Sequence, residues 1–190
     1  MYRGLNDKQI SGQRAEELFR KYCDESNIAY LYIDQEVFTK SSSIWRNLGQ
    51  RPDFLVVEPN KMPFFIDVKA HKFVNQMGEP HDFYGVKGNP AMHLDNQEYK
   101  KLLSFQNLIG IPIWISFFER RGQNTVDPES MWIIPLNIAG KFFSPKNKYY
   151  FQIPRSCCAP INTKKPFPLS YQLCLKCKKK YCEHLDEYLR

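Results

Sequence analysis

The stretch RPDFLVVEPNKMPFFIDVKAH, residues 51–71, restricts the fold of this chain more than any other. Two runs rich in Val, Ile, Leu and Phe, 53–57 and 63–69, flank a turn over 58–62, as neighbouring strands in the middle of a sheet would. Asp53 opens the first run, and Asp67 and Lys69 close the second. Residues two apart on a strand share a face, so Asp67 and Lys69 point one way while Ile66 and Val68 point the other. A solvated strand-end salt bridge contributes only about 0–1 kcal/mol and does not require a buried strand to end in charge. Two carboxylates and an ammonium at one end of a hairpin suit a hard divalent cation with a cationic neighbour, and water-driven cleavage of a phosphodiester.

The hairpin is flanked by helices. Residues 11–25 carry Ala15, Leu18, Phe19 and Tyr22 at helical spacing, with Ser11 placed to cap them and Glu16 beside the apolar stripe. A second helix is expected over 95–108, capped by Asp95 or Asn96 and stopped by Gly110, with Leu102, Leu103, Phe105 and Leu108 toward the sheet. Strands are expected at 28–33, 111–118 and 131–136. The order helix, strand, hairpin, helix, strand, strand implies an α/β domain with a mixed central sheet. The polar segments 34–50 and 72–93 read as long loops, and such loops in a compact domain are often functional. His71 is expected to be exposed, beyond the end of its strand. After about Lys141 aromatic, proline and lysine residues alternate, and 141–172 is expected to run extended to a cysteine-rich tail over 173–190.

The set Gly12-x-x-Ala15-Glu16, then Pro52-Asp53, thirteen intervening residues, and Asp67-Val68-Lys69, with Gln97 opening the next helix, resembles the PD-(D/E)XK nuclease superfamily. Within it the pattern is most similar to Holliday-junction resolvases of the Hjc and RecU kind, over roughly residues 10–138. The resemblance implies a restriction-endonuclease-like core over 1–140, with Mg²⁺ or Mn²⁺ held by Asp53, Asp67 and the Val68 carbonyl. It also implies that Glu16 acts directly or through water, that Lys69 orients the attacking water or stabilises charge on the phosphorus, and that Gln97 positions water or backbone. DNA is the implied partner and a homodimer the implied assembly, though the sequence itself shows no dimer interface. One departure is that nothing here corresponds to the stalk of RecU-like proteins.

The chain has 27 basic and 20 acidic residues, a net charge of +7, which leans toward polyanions without identifying one. No apolar run approaches the roughly 20 residues of a membrane span. The opening residues lack the apolar segment of a signal peptide, so a cytoplasmic setting with reduced or metal-bound cysteines is expected. In the tail, Cys174, Cys177, Cys182 and His184 form C-x2-C-x4-C-x-H. A C-x-x-C pair can present two thiolates to one tetrahedral Zn²⁺ at about 2.3 Å, and Cys157 or Cys158 could replace His184 as fourth ligand. An iron–sulfur cluster using Cys23 with the three tail cysteines is the alternative, as in the CRISPR-associated and AddB-type nucleases that the pattern also resembles. Those families place their first cysteine earlier in the chain.

The function expected is therefore metal-dependent hydrolysis of DNA, structure-specific in the manner of a junction resolvase. The alternatives are a restriction-type or mobile-element nuclease, and a DNA-binding adaptor that keeps the nuclease fold but does not cut.

Overall fold

A computed structural model describes residues 7–33, 51–57, 62–71, 91–121, 125–143 and 149–161. Helix α1 (Asp7–Glu25) is followed by β1 (Ala29–Tyr32), β2 (Phe54–Val57), β3 (Phe64–His71), β4 (Ala91–Asp95) and α2 (Asn96–Ile109). Then come β5 (Ile113–Arg120), β6 (Val126–Pro135), the short helix α3 (Leu136–Ala139), β7 (Tyr150–Pro154) and β8 (Ala159–Ile161), with single 3₁₀ turns before β7 and β8. Among the described residues the main sheet has six strands in the order β1-β2-β3-β5-β6-β8, and β4 and β7 form a separate two-stranded ribbon. Every neighbouring pair is antiparallel except β3 and β5. A parallel pair needs a crossover, which α2 supplies. The architecture is a mixed α/β domain with a largely antiparallel central sheet.

The sheet is covered on both faces. Phe54 pairs across to Ile66, so Phe54 and Phe65 lie on opposite faces. Phe19 of α1 packs on Phe54 with ring centroids 4.9 Å apart, and Phe105 of α2 packs edge-on to Phe65 at 5.3 Å. The buried stripe of α1, Ala15, Phe19, Tyr22 and Cys23, has the i, i+4, i+7, i+8 spacing of one helical face. That helix ends where Asn27 takes a left-handed φ of 54°, a conformation asparagine tolerates better than most residues. Helix α2 begins at Asp95, whose carboxylate accepts from the backbone N–H groups of Gln97 (2.8 Å) and Glu98 (3.0 Å). It ends at Gly110, which has φ 72° and donates its N–H to Gln106 O.

Several expectations are corrected. Helix α1 starts at Asp7, and Ser11 is a buried residue within it whose hydroxyl donates to Asp7 O at 2.7 Å. Leu108 does not face the sheet but is 54% exposed. His71 is the last residue of β3, half-buried against Phe117, not an exposed residue beyond the strand. The sheet also continues past residue 140, because β8 pairs with β6 and forms its outer strand. Among the described residues no helix is long and apolar enough to cross a membrane. The segments 34–50 and 72–90 and the tail with Cys174, Cys177, Cys182 and His184 lie outside the described residues. Cys23, Cys157 and Cys158 are buried.

Candidate metal centre

Three elements converge on the end of β3. Asp53 is fixed through its main chain, its N–H donating to Ile66 O (2.9 Å) and its carbonyl accepting from Ile33 N–H (2.8 Å). The β2–β3 ladder pairs Phe54 with Ile66, so Asp53 and Asp67 lie one step further along. There Asp53 Oδ2 accepts the Val68 N–H at 2.7 Å, occupying the place that another strand residue would take. Asp67 is fully buried and Lys69 shares its face, the ammonium lying 2.8 Å from Asp67 Oδ2. The same ammonium meets Glu98 Oε1 at 2.7 Å.

Glu98 is the residue that sequence reasoning missed. It stands three residues after the Asp95 cap, where Asp-x-x-Glu ordinarily marks a glutamate folded back on the cap N–H. Instead it reaches across to Lys69. Its neighbour Gln97, the residue expected to act, is exposed, and its backbone N–H is held by Asp95. Successive helical residues are rotated by about 100°, so both cannot face β3.

Glu16 arrives from the other face. It sits one residue past buried Ala15, which turns it toward the sheet edge, where Tyr32 donates to Glu16 Oε2 at 3.1 Å. Tyr32 is the second site residue not anticipated. Its ring lies against Phe54 at 5.4 Å, with the Arg20 guanidinium over it at the same distance.

The electrostatics follow from four carboxylates around one buried ammonium. Burial raises the Asp53 pKa to about 7, with Lys69 opposing and Glu16 adding to the rise. Burial likewise holds Asp67 well above the ordinary carboxylate range, again against Lys69. Glu16 is raised by burial, moderated by Tyr32, Arg20 and Lys69. Burial works to lower Lys69, but Asp67, Glu98 and Asp53 outweigh it and raise its pKa, so it stays protonated. Further along the strand, burial and then Lys69 push His71 down to about 4, leaving a neutral imidazole at neutral pH.

The donor set suits a hard divalent cation. Among the described residues the buried Asp67 Oδ1 has no hydrogen-bond partner, and burial disfavours the charged form of both aspartates, a cost that a bound cation would offset. Among the described residues no group of three or more His, Cys, Asp or Glu side chains stands assembled as a metal cage. Mg²⁺ does not need one, since it is held by one or two carboxylates and keeps several waters.

No family model matches the chain, and no curated protein does. Among solved structures, the chain is similar to the Holliday junction resolvase Hjc of the archaeal hyperthermophile Archaeoglobus fulgidus. The identity is 15% and the TM-score 0.49, covering 82% of this chain and 98% of that one.

Proposed function

We propose that this protein is a metal-dependent nuclease that hydrolyses phosphodiester bonds in DNA, with structure-specific cleavage of branched substrates as its finer activity. One observation carries the reading: half-buried Asp53 and fully buried Asp67 lie side by side on neighbouring strands near Lys69, and among the described residues the buried Asp67 Oδ1 has no hydrogen-bond partner. A structural salt bridge would pair one carboxylate with one ammonium, whereas here several carboxyl groups gather around the single ammonium of Lys69, a donor set that a cation would complete.

Asp53 and Asp67 would hold Mg²⁺ or Mn²⁺, with the Val68 carbonyl as a third donor. Such a cation polarises a phosphate and lowers the pKa of a bound water. Lys69 remains an ammonium through the working pH range, so it stabilises charge on a phosphoryl oxygen and does not act as a base. Glu98 holds that ammonium in place. Glu16, hydrogen-bonded by Tyr32, stands where a carboxylate can orient a water from the rim of the site. The apolar strand beneath these groups, Phe64 to Ile66, keeps bulk water from the buried side and strengthens each interaction.

The direct test incubates the protein with plasmid, linear duplex and four-way-junction DNA in Mg²⁺, Mn²⁺ or EDTA. Cleavage should require the metal and should fall by at least about 10²-fold in Asp67→Ala. Absence of cutting on every substrate in both metals would overturn the enzymatic reading. Undiminished activity in Asp67→Ala would show that the site lies elsewhere.

A further inference from the structure

The β4–β7 ribbon is not needed to complete the main sheet, and its two faces differ sharply. Met92 and Leu94 on β4 and Phe151 and Ile153 on β7 are buried. Phe151 is held edge-on by Tyr99 of α2 at 5.3 Å and by Phe143 at 5.8 Å, which fixes the ribbon to the domain. The alternate residues face outward: His93 and Asp95 on β4, Tyr150 and Gln152 on β7. His93 and Tyr150 stack with ring centroids 4.5 Å apart and planes 22° from parallel. Gln152 Nε2 lies 3.2 Å from His93 Nε2. Tyr149, immediately before the strand, is 74% exposed and Tyr150 39%.

This face adjoins the carboxylate site. Tyr149 O accepts the Asn96 N–H at 2.9 Å, two residues before Glu98. His93 is near enough to His71 for its charge to bear on it, two residues beyond Lys69. The stacked Tyr150–His93 pair, with exposed Tyr149 next to it in sequence, puts aromatic rings at the surface. Planar rings edged by an amide, an imidazole and phenol hydroxyls match a nucleobase better than an aliphatic side chain, because a base offers both a π-face and a hydrogen-bonding edge. Among the described residues the acidic group on this face is Asp95, whose carboxylate caps α2.

We propose that Tyr149, Tyr150, His93 and Gln152 form a stacking platform for an unpaired base of a DNA strand whose phosphate lies at the carboxylate site. The inference rests on the nuclease reading and deepens it. The preferred substrate is then DNA with at least one unpaired or splayed nucleotide beside the cleavage position, not intact duplex. Loss of a base–aromatic stack weakens binding by roughly 5- to 150-fold per base, so it should be readable in affinity.

The test uses the full chain in EDTA, so that binding is measured without cleavage. The probes are a forked duplex carrying 2-aminopurine at the first unpaired nucleotide and a blunt duplex carrying it internally. The wild type should quench the fork's fluorescence and bind the fork about tenfold or more tightly than the blunt duplex. Tyr149→Leu/Tyr150→Leu should lose the quenching and bring the preference to within about twofold, with blunt-duplex affinity unchanged. The corresponding double Phe variant should retain both. Tyr149→Leu alone, outside the strand, should lose part of the effect, and it tests the idea even where the double variant folds poorly. Fork preference and quenching retained in the Leu variants would overturn the platform, as would a wild type with no fork preference. A protein that quenches the fork but cuts nothing in Mg²⁺ would sink the nuclease reading alone, whereas cutting without fork preference would sink the platform alone.

Discussion

Asp53 is an aspartate whose surroundings favour its neutral form. Its folded pKa of about 7 lies above the ordinary value of 3.8, so folding favours the protonated carboxyl. A raised acid pKa contributes stability that is fully present below the unfolded value and is lost as pH rises through the folded one. The window here is therefore about pH 4 to 7, and above it the fold bears the cost of a buried, under-compensated charge. Asn does not titrate and can still accept the Val68 N–H. Asp53→Asn should accordingly match the wild type near pH 4 and melt several degrees higher at pH 8, since about 1 kcal/mol moves Tm by roughly 2–4 °C in a chain of this size. Adding Mg²⁺ at pH 8 should narrow that gap by stabilising only the wild type. Calorimetric melts across pH, with and without Mg²⁺, check this; a variant equally destabilised at pH 4 and pH 8 would mean that the carboxylate is already well compensated.

Element by element, what could be read from the sequence depended on whether the signal was local. The Asp53–Lys69 hairpin was legible because two apolar runs end in charge, and α2 was legible because Asp95 and Gly110 are strong start and stop residues. Glu98 was not, because choosing between it and Gln97 requires knowing the rotation of α2 against β3. Tyr32 was missed for a similar reason: on a short strand its partner Glu16 lies on a helix, at no fixed sequence spacing. The strands β4 and β7 are five residues each, preceded by Gly- and Pro-rich or Pro- and Lys-rich sequence, so neither run declares itself. Asp95 links the element scale to the site, since its cap orients the turn that delivers Glu98. Asp95→Ala should cost about 1 kcal/mol of stability in urea denaturation. It should lower cleavage by more than that loss explains, because Glu98 no longer holds Lys69. Asp95→Asn, also a good cap, should restore most of both, and a loss of stability with unchanged turnover would separate the cap from the site.

For the whole molecule, the question is where the domain ends. Composition changes after Lys141, and a break near residue 140 is what that change suggests. The residues beyond it nevertheless behave as core: Phe151, Ile153, Cys157, Cys158 and Ile161 are buried, and β8 covers the edge of β6 from Met131 to Ile133. An uncovered apolar edge strand is a template for aggregation. Burying one large apolar side chain contributes about 1.5–3 kcal/mol, so losing Phe151, Ile153 and Ile161 together would remove much of the 5–15 kcal/mol that a domain typically has. A chain ended at Lys148 lacks all of these groups and the ribbon that anchors on Tyr99. It should be insoluble or lack a cooperative urea transition by circular dichroism, whereas the full chain should unfold in one step. A truncated protein that unfolds cooperatively at the full-length midpoint would instead place the boundary near residue 140, leaving β7 and β8 as an appendage on a core already complete.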